Sequence, residues 1–429
     1  GFYDGISVIM LLLSVIVLYA AILHGGAPEG SERLWYGSSL LIGAGAIGAF
    51  LSTDLFFFYA FHELALIPTF LMIGILGKGE RKEAAWKITI YLAFGSIVLL
   101  AGLLWLVNAS GSESWLFKDL LASEIDPSAQ KGIAALLIVG FGTLVSLFPF
   151  HSWAAPAYAS APTPVAMLHA GVLKKFGLYG LIRFYPMVSE GMQDWLGLLI
   201  VLLLGNILWV GFVTINQKRM DTLLGNSSVM HMGYIFLAFA ALIEAGSASA
   251  NTIAIPAAVV LMFAHGISIA MLFCLSDSIQ KRTNTLELTE LGGLAKAAPK
   301  LAFLFGLAGM ASIGLPGLAN FSGEVLVFLS GFESYKGGPL GCVQVATILA
   351  LWGVVISAVY MLRAFRGTFQ GPAVKNSTGV ADLTFMEKMP AMILAAALLI
   401  VGLYPNSLLS LLEGCGYQVS SDATEQSDN

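Results

Sequence analysis

Three ionisable side chains lie inside long apolar stretches of this sequence: Glu63, Lys175 and Glu324. A charge at the centre of a lipid bilayer is costly, and residues that carry one usually line an ion path. Glu63 lies too deep for its short side chain to reach the membrane surface, and Lys175 lies about halfway along its stretch. Side chains of this kind predict the passage of protons or cations through a membrane.

Each of these residues also has a structural interpretation. Glu63 could belong to a satisfied internal ion pair. Glu324 follows a helix break, so it could be a simple helix cap that the helix dipole stabilises. Lys174 points about 100° away from Lys175 on a helix, so one of the two lysines could extend to the membrane surface.

Four histidines could relay protons, because an imidazole titrates at about pH 6.5. His231 and His265 lie inside apolar segments, where a hydrogen-bonded packing role is an equal alternative. His151 and His169 lie close to a proline-rich break in the chain and are weaker candidates.

The cysteines give no sign of a redox or metal centre. Cys274, Cys342 and Cys415 form no CxxC pair and no cysteine–histidine cluster, so neither an iron–sulfur centre nor a structural zinc is supported. No glycine-rich phosphate loop occurs either. The sequence therefore predicts no cofactor and no metal in this chain, and it gives no reason to expect nucleic acid binding.

The composition indicates a protein that is solvated by lipid. Of its 429 residues, 57% are hydrophobic and 11% are charged, whereas a soluble domain carries about 25% charged residues. A spanning helix needs roughly 20 apolar residues. We predict an all-α polytopic membrane protein with a single transmembrane domain over residues 1–405 and a short polar tail over residues 406–429. Its twelve transmembrane helices are expected at residues 5–24, 34–51, 55–76, 86–107, 132–148, 163–185, 195–215, 223–242, 253–277, 301–334, 343–364 and 390–405.

The charges of the loops support twelve helices. When the loops are numbered alternately, 14 lysines and arginines fall on one side of the membrane and three on the other. Cytoplasmic loops carry the positive excess, so both termini would lie on the periplasmic side of a bacterial cytoplasmic membrane. The acidic segment 420–429 is expected to be disordered.

Two apolar segments contain proline and glycine breaks. The first break runs from Leu144 to Pro149, and the second contains Gly314, Pro316 and Gly317. Broken helices free backbone groups at membrane depth, which is tolerated only against protein or water. Paired breaks are typical of transporters that are built from inverted repeats. Because proline and glycine are common in membrane helices, the repeat remains a hypothesis.

Seven short motifs occur in order along the chain: Asp4-Gly-Ile-Ser7, Asp54-Leu-Phe-Phe-Phe58, His62-Glu-Leu-Ala-Leu-Ile-Pro68, Pro149-Phe-His-Ser-Trp153, Ala161-Pro-Thr163, Ser227-Ser-Val-Met-His-Met-Gly-Tyr234 and Leu315-Pro-Gly-Leu-Ala-Asn-Phe-Ser-Gly-Glu324. Together they resemble the antiporter-like subunits of respiratory complex I and their Mrp-antiporter and membrane-hydrogenase relatives. The chain resembles the M-type chain most, because Glu324 stands where L- and N-type chains usually carry lysine. The family has fourteen helices, so the resemblance implies that two more would precede residue 1.

The resemblance also implies a set of proton-pathway residues and a set of partners. NADH, FMN, iron–sulfur clusters and quinone would bind other subunits of the complex. L-, N- and K-type chains and the lipid bilayer would surround this one. The implied pathway residues are Glu63, the bridging Lys175, the axial His231 and His265, the terminal Glu324, and His151 after the first break.

One departure from the family pattern affects the mechanism. The family normally has a lysine seven residues before His151, and that lysine partners the glutamate at Glu63. This chain has Leu144 there, and residues 133–148 include no basic side chain. A buried carboxylate without a counter-charge favours its neutral form. Lys175 or a water chain could compensate, or the subunit could pump differently or not at all.

The leading hypothesis is a proton-translocating membrane-arm subunit of an NADH-quinone oxidoreductase, driven by quinone reduction elsewhere in the complex. One alternative is a subunit of an Mrp-type Na⁺/H⁺ antiporter or of a membrane-bound hydrogenase. Another is a structural membrane-arm subunit that has lost pumping, which Leu144 favours.

Overall fold

Helices form nearly all of the regular structure in the computed structural model, which describes residues 4–413. Cys415 and the acidic segment 420–429 lie outside the described residues. Within residues 4–413 no β-strand occurs, only two isolated bridges, Asp54–Leu116 and Arg219–Glu287. The main helices are α1 (Gly5–His24), α2 (Glu32–Leu51), α3 (Leu55–Leu76), α4 (Arg81–Ser110), α5 (Pro127–Val145), α6 (Ala154–Ser160), α7 (Thr163–Met187), α8 (Leu196–Ile215), α9 (Met220–Ala245), α10 (Ala254–Thr283), α11 (Pro299–Ile313), α12 (Ala319–Glu333), α13 (Cys342–Phe369), α14 (Phe385–Leu403) and α15 (Asn406–Glu413).

The predicted helix count is confirmed. Eleven of the described helices are long and apolar enough to cross a membrane, and the predicted tenth span is divided at its break into α11 and α12. The last span begins at Phe385, earlier than predicted, because Thr384 and Glu387 form a capping box before it. The fold is therefore an all-α membrane bundle with about twelve transmembrane segments.

Three helices occupy the centre of the bundle: α7, α9 and α10. The apolar segments of α7 and α10 are buried along their whole length, and that of α9 is almost completely buried. The surrounding helices bury one face and expose large apolar side chains on the other, including Ile97, Trp209 and Phe303. An apolar outer surface of this kind suits lipid. Titratable residues on the three central helices are thereby kept away from the bilayer.

The first predicted break separates α5 from α6. α5 ends at Val145, and Ser146 adopts a left-handed backbone conformation with φ of 66°. Asn206 accepts a hydrogen bond from the Phe148 amide (2.6 Å) and donates one to the Ser146 carbonyl (3.2 Å). Asn206 therefore satisfies backbone groups that the break would leave unpaired at membrane depth. The sequence analysis did not identify this residue.

The second predicted break lies between α11 and α12. Gly314 ends α11 with φ of 82°, a conformation that glycine adopts without steric cost. A Cβ atom on Gly314 would lie only 2.2 Å from Glu324 Oε2. The glycine therefore ends the helix and also leaves room for the carboxylate to approach the break.

The segment after α14 corrects one expectation. A polar tail was predicted from residue 406, but Asn406–Glu413 forms α15, which buries Leu408 and Leu412. The backbone of α15 packs directly on α1, because a Cβ on Gly5 would lie 2.1 Å from the Leu411 carbonyl oxygen. The first part of the predicted tail is thus a packed amphipathic helix.

Candidate functional site

Lys175 lies in the centre of α7, where it is completely buried. A π-helical turn, His169–Leu173, precedes it, so the Lys174 amide bonds to the His169 carbonyl rather than to that of Ala170. The Ala170 carbonyl instead accepts a hydrogen bond from the Lys175 ammonium at 2.5 Å. This turn, which the sequence analysis did not predict, provides an internal acceptor for a lysine in an apolar core.

Lys174 is completely buried as well, so the expectation that one of the two lysines extends to the surface is wrong. Other helices cover α7 on all sides, and neither lysine has a route out. The Lys174 ammonium donates to the Ser228 hydroxyl at 3.3 Å, and the same hydroxyl lies 3.3 Å from His265 Nε2. Ser228 therefore connects a buried lysine to a buried histidine.

His265 and His231 stack between α10 and α9, with ring centroids 5.3 Å apart and an interplanar angle of 13°. Both rings are buried. His231 Nδ1 lies 2.8 Å from the Ser227 carbonyl, and His231 Nε2 lies 2.8 Å from the Ser312 carbonyl. Both carbonyls can accept a hydrogen bond only when both ring nitrogens carry a proton. A neutral His231 can donate to only one of these two carbonyls.

Glu324 lies next to this histidine pair on α12. Its carboxylate is buried, with Oε1 4.0 Å from His231 Nε2. α12 begins at Ala319, which puts Glu324 in the second turn, so the interpretation of Glu324 as a helix cap is wrong. Lys175 lies close enough to both histidines for a charge on it to influence them. We call the following residues the central line: Lys174, Lys175, Ser228, His265, His231 and Glu324.

Glu63 lies apart from the central line, on α3 at the edge of the bundle. Its side chain is 36% exposed and faces a groove of about 480 Å³ between α3 and α4. The expectation of a buried carboxylate is therefore wrong for this residue. The Ser96 hydroxyl donates to Glu63 Oε1, and His62 Nδ1 lies 3.4 Å from the same oxygen. Leu144, where a lysine was expected, is buried and brings no charge.

His151 does not join the central line. It lies in the irregular segment between α5 and α6, where its ring stacks on Phe148 with centroids 5.3 Å apart. Its Nδ1 atom is buried and has no hydrogen-bond partner among the described residues. Glu63 and His151 are thus the predicted pathway residues that stand outside the line. Those that the structure brings together are Lys175, His231, His265 and Glu324.

Comparison with known proteins identifies the family. Residues 52–350 match the family described as NADH:quinone oxidoreductase/Mrp antiporter, transmembrane. The NAD(P)H-quinone oxidoreductase chain 4 1 of Synechococcus sp. (strain JA-3-3Ab) is 34% identical over 407 residues, which cover 94% of this chain and 76% of that protein. This chain belongs to the NADH:quinone oxidoreductase/Mrp antiporter family. The F(420)H(2) dehydrogenase subunit M of Methanosarcina mazei is 32% identical over 420 residues, or 95% of this chain and 81% of that protein.

Solved structures agree with this membership. A chain of respiratory complex I from Thermus thermophilus with bound NADH superposes with a TM-score of 0.86 at 30% identity, over 96% of this chain and 84% of that one. A chain of the Mrp complex from Dietzia sp. DQ12-45-1b gives a TM-score of 0.81 at 20% identity, over 96% and 83%, a likeness of fold alone. The predicted resemblance to the antiporter-like subunits of complex I is confirmed. This family member is a polytopic membrane subunit of a larger translocase.

A second buried contact in this antiporter-like chain was missed by the sequence analysis. The Tyr158 hydroxyl lies 3.1 Å from His169 Nδ1, and the Lys174 ammonium lies 5.6 Å from the centre of the Tyr158 ring. His169 Nε2 is buried without a hydrogen-bond partner among the described residues. Tyr158 and His169 flank the short gap between α6 and α7. Two polar residues on either side of a break were the signal that could have identified the pair.

The chemistry that the central line can perform is proton transfer. The steps of 3.3 Å from Lys174 through Ser228 to His265 are hydrogen-bond distances. The stacked rings of His265 and His231 and the 4.0 Å from His231 to Glu324 require a bridging water or a small movement of a side chain. Among residues 4–413, no group of three histidine, cysteine, aspartate or glutamate side chains could hold a metal ion.

Proposed function

We propose that this chain is the M-type, proton-translocating subunit in the membrane arm of a complex I-like NADH-quinone oxidoreductase. The observation that carries the proposal is the central line: five titratable side chains and one serine hydroxyl, buried on four adjacent helices of a family member. Ionisable groups are rare inside membranes unless they serve an ion path.

In this function the central line moves charge, and no substrate enters the chain. A proton that leaves Lys175 changes the electrostatic energy of His265 and His231, because charges interact strongly in a core of low dielectric constant. The Ser228 hydroxyl passes protons between Lys174 and His265. His231, held between two carbonyls, is the charged intermediate that delivers a proton towards Glu324. Quinone reduction elsewhere in the complex provides the energy.

The proposal gives this chain no redox group. NADH, FMN, iron–sulfur clusters and quinone would bind other subunits, and L-, N- and K-type chains would be its neighbours in the membrane arm. The side with 14 basic loop residues would face the cytoplasm of a bacterium. Both termini of this chain would then lie in the periplasm.

A specific observation supports each of two alternative functions. Leu144, which is buried where the family has a lysine, favours a structural membrane-arm subunit that has lost pumping. An Mrp-type antiporter subunit is supported by fold, at 20% identity. The relatives above 30% identity are named as a quinone oxidoreductase chain and as a dehydrogenase subunit M, which favours the complex I-like function.

The experiment replaces the two carboxylates in the intact complex. Glu324→Gln and Glu63→Gln each remove a charge with little change in volume, and we expect either one to lower proton translocation per NADH oxidised several-fold in proteoliposomes. Glu29→Gln is the matched control, because Glu29 is exposed in a loop. Normal translocation by both carboxylate variants in an assembled complex would mean that the subunit is structural. If transport depended on Na⁺, the function of an Mrp-type antiporter subunit would be favoured.

A further inference from the structure

Among residues 4–413, Glu63 has no lysine or arginine within ion-pair distance. Among the residues that the structure describes, the ion-pair contact of its carboxylate is with His62. Lys175 is directed elsewhere, since its ammonium donates to the Ala170 carbonyl. Leu144 occupies the position of the lysine that the family pattern expects. The negative charge of the Glu63 carboxylate is therefore balanced by the neighbouring His62 imidazole.

His62 is placed to feel the charge of Glu63. Its Nδ1 atom lies 3.4 Å from Glu63 Oε1, and its side chain is 3% exposed, whereas that of Glu63 is 36% exposed. Consecutive residues on a helix point about 100° apart. Glu63 thus faces the groove beside α4, while His62 faces the interior of the bundle.

His62 also contacts the helix that holds the two buried lysines. Its ring stacks on Phe176, the residue after Lys175, with centroids 3.9 Å apart and an interplanar angle of 16°. Phe176 packs in turn on Phe58 (4.4 Å) and Phe141 (5.8 Å). This aromatic layer excludes water, so a charge on His62 is poorly screened from α7.

We infer that His62 replaces the missing lysine as the charge partner of Glu63 and transmits the charge state of Glu63 to Lys175. The inference rests on the proposed function and adds a proton-carrying residue to it. When Glu63 is ionised, the adjacent imidazole holds a proton against it. When Glu63 takes up a proton, the positive charge of His62 is no longer compensated and faces the interior. The charge then reaches α7 through one imidazole instead of through a lysine on α5.

Substitutions at His62 and Leu144 test this in the intact complex. His62→Gln keeps a polar side chain but cannot carry charge, so we expect proton translocation per NADH to fall as far as in Glu63→Gln. His62→Lys keeps a cation and should retain more than half of the native value. Leu144→Lys should rescue His62→Gln. The family pattern has a lysine at this position as the partner of the glutamate, and Thr143, beside it, packs against Gly95, the neighbour of Ser96 that binds Glu63.

The control is a second histidine–carboxylate pair. His24 Nε2 lies 2.8 Å from Asp277, which also keeps Lys78 (3.0 Å) and Lys281 (2.8 Å), so we expect His24→Gln to translocate protons normally.

The outcomes are distinct. Native translocation by His62→Gln, or failure of Leu144→Lys to restore it, overturns the inference, as does an equal loss in His24→Gln. If His62→Gln does not assemble, translocation by assembled His62→Lys supports the inference and its loss there overturns it. If Glu63→Gln itself translocates normally, the proposed role of Glu63 fails. If only Glu63→Gln loses translocation, the role of His62 alone fails.

Discussion

Asn206 on α8 is hydrogen-bonded both to the first helix break and to α9, although no sequence motif includes it. Its amide contacts the Phe148 amide, the Ser146 carbonyl and the Val229 carbonyl (2.8 Å) and is completely buried. The first two groups belong to the broken helix that leads into α7, and the third belongs to α9. One residue thus positions the helix of Lys175 relative to the helix of His231.

Replacement of this amide should destabilise the bundle. Asn206→Ala leaves the Phe148 amide and the Ser146 carbonyl without this partner, at about 1–3 kcal/mol for each group, so we expect a clearly lower midpoint of thermal unfolding for the detergent-solubilised protein. Asn216→Ala is the control, because Asn216 donates only to the Phe212 carbonyl of its own helix at an exposed end. An equal midpoint for the two variants would contradict this role of Asn206.

The break between α11 and α12 shows how one element brings a carboxylate to a histidine. Gly314 and Gly317 both have positive φ values, 82° and 90°. They differ in their surroundings: a Cβ at Gly314 would overlap Glu324 Oε2, whereas a Cβ at Gly317 would meet only Leu403 Cδ2 at 3.9 Å. Substitution of Gly317 would therefore strain the backbone, whereas substitution of Gly314 would strain the backbone and also displace the Glu324 carboxylate.

We expect Gly314→Ala and Gly317→Ala to reduce stability by similar amounts, on the order of 1 kcal/mol for an alanine in this conformation. Only Gly314→Ala should also lower proton translocation, because its methyl group moves Glu324 relative to His231. Translocation per NADH in proteoliposomes checks this difference. If both variants lose translocation equally, the loss comes from backbone strain at the break and not from movement of the Glu324 carboxylate.

Sequence reasoning located the elements well because a bilayer imposes a simple requirement on them. Lipid demands long apolar helices, and proline with glycine ends them, so the spans and both breaks could be predicted. The burial of Lys174 could not, since it depends on α7 being surrounded by other helices, which apolar length does not reveal. The π-turn at His169–Leu173 and the contacts of Asn206 could not be predicted either, because each is defined by atoms distant in sequence.

Part of the site could be predicted from the same requirement of the bilayer. Residue type and depth identified Lys175, His231, His265 and Glu324. Ser228 and Tyr158 were missed because a hydroxyl in an apolar helix is unremarkable until its partner is known. Glu63 was expected to be buried, but α3 lies at the edge of the bundle. The spacing of apolar residues along α3 did not reveal this position.

At the scale of the whole molecule, the orientation in the membrane is open to direct measurement. Cys342 begins α13 and is exposed, whereas Cys274 is buried in α10. The loop before Cys342 contains Lys336 and belongs to the side with few basic residues. The positive-inside rule predicts that this side faces the periplasm of a bacterium.

In a Cys415→Ser background, a membrane-impermeant maleimide should label Cys342 when added to the periplasmic side of intact cells. It should not do so in sealed inside-out vesicles. Cys342→Ser should abolish the labelling, since Cys274 is inaccessible. Labelling from the cytoplasmic side alone would reverse the assigned orientation.

The π-turn of α7 couples the winding of a transmembrane helix to the position of one ammonium group. While Lys175 Nζ holds the Ala170 carbonyl, the overwide turn is stable. If that contact is lost, an orphaned carbonyl costs about 1–3 kcal/mol, and the Lys174 amide can recover it by rewinding the turn to α-helical pitch. Rewinding rotates one half of the helix against the other by about 100°. The position of one ammonium group and the winding of this helix are thereby linked.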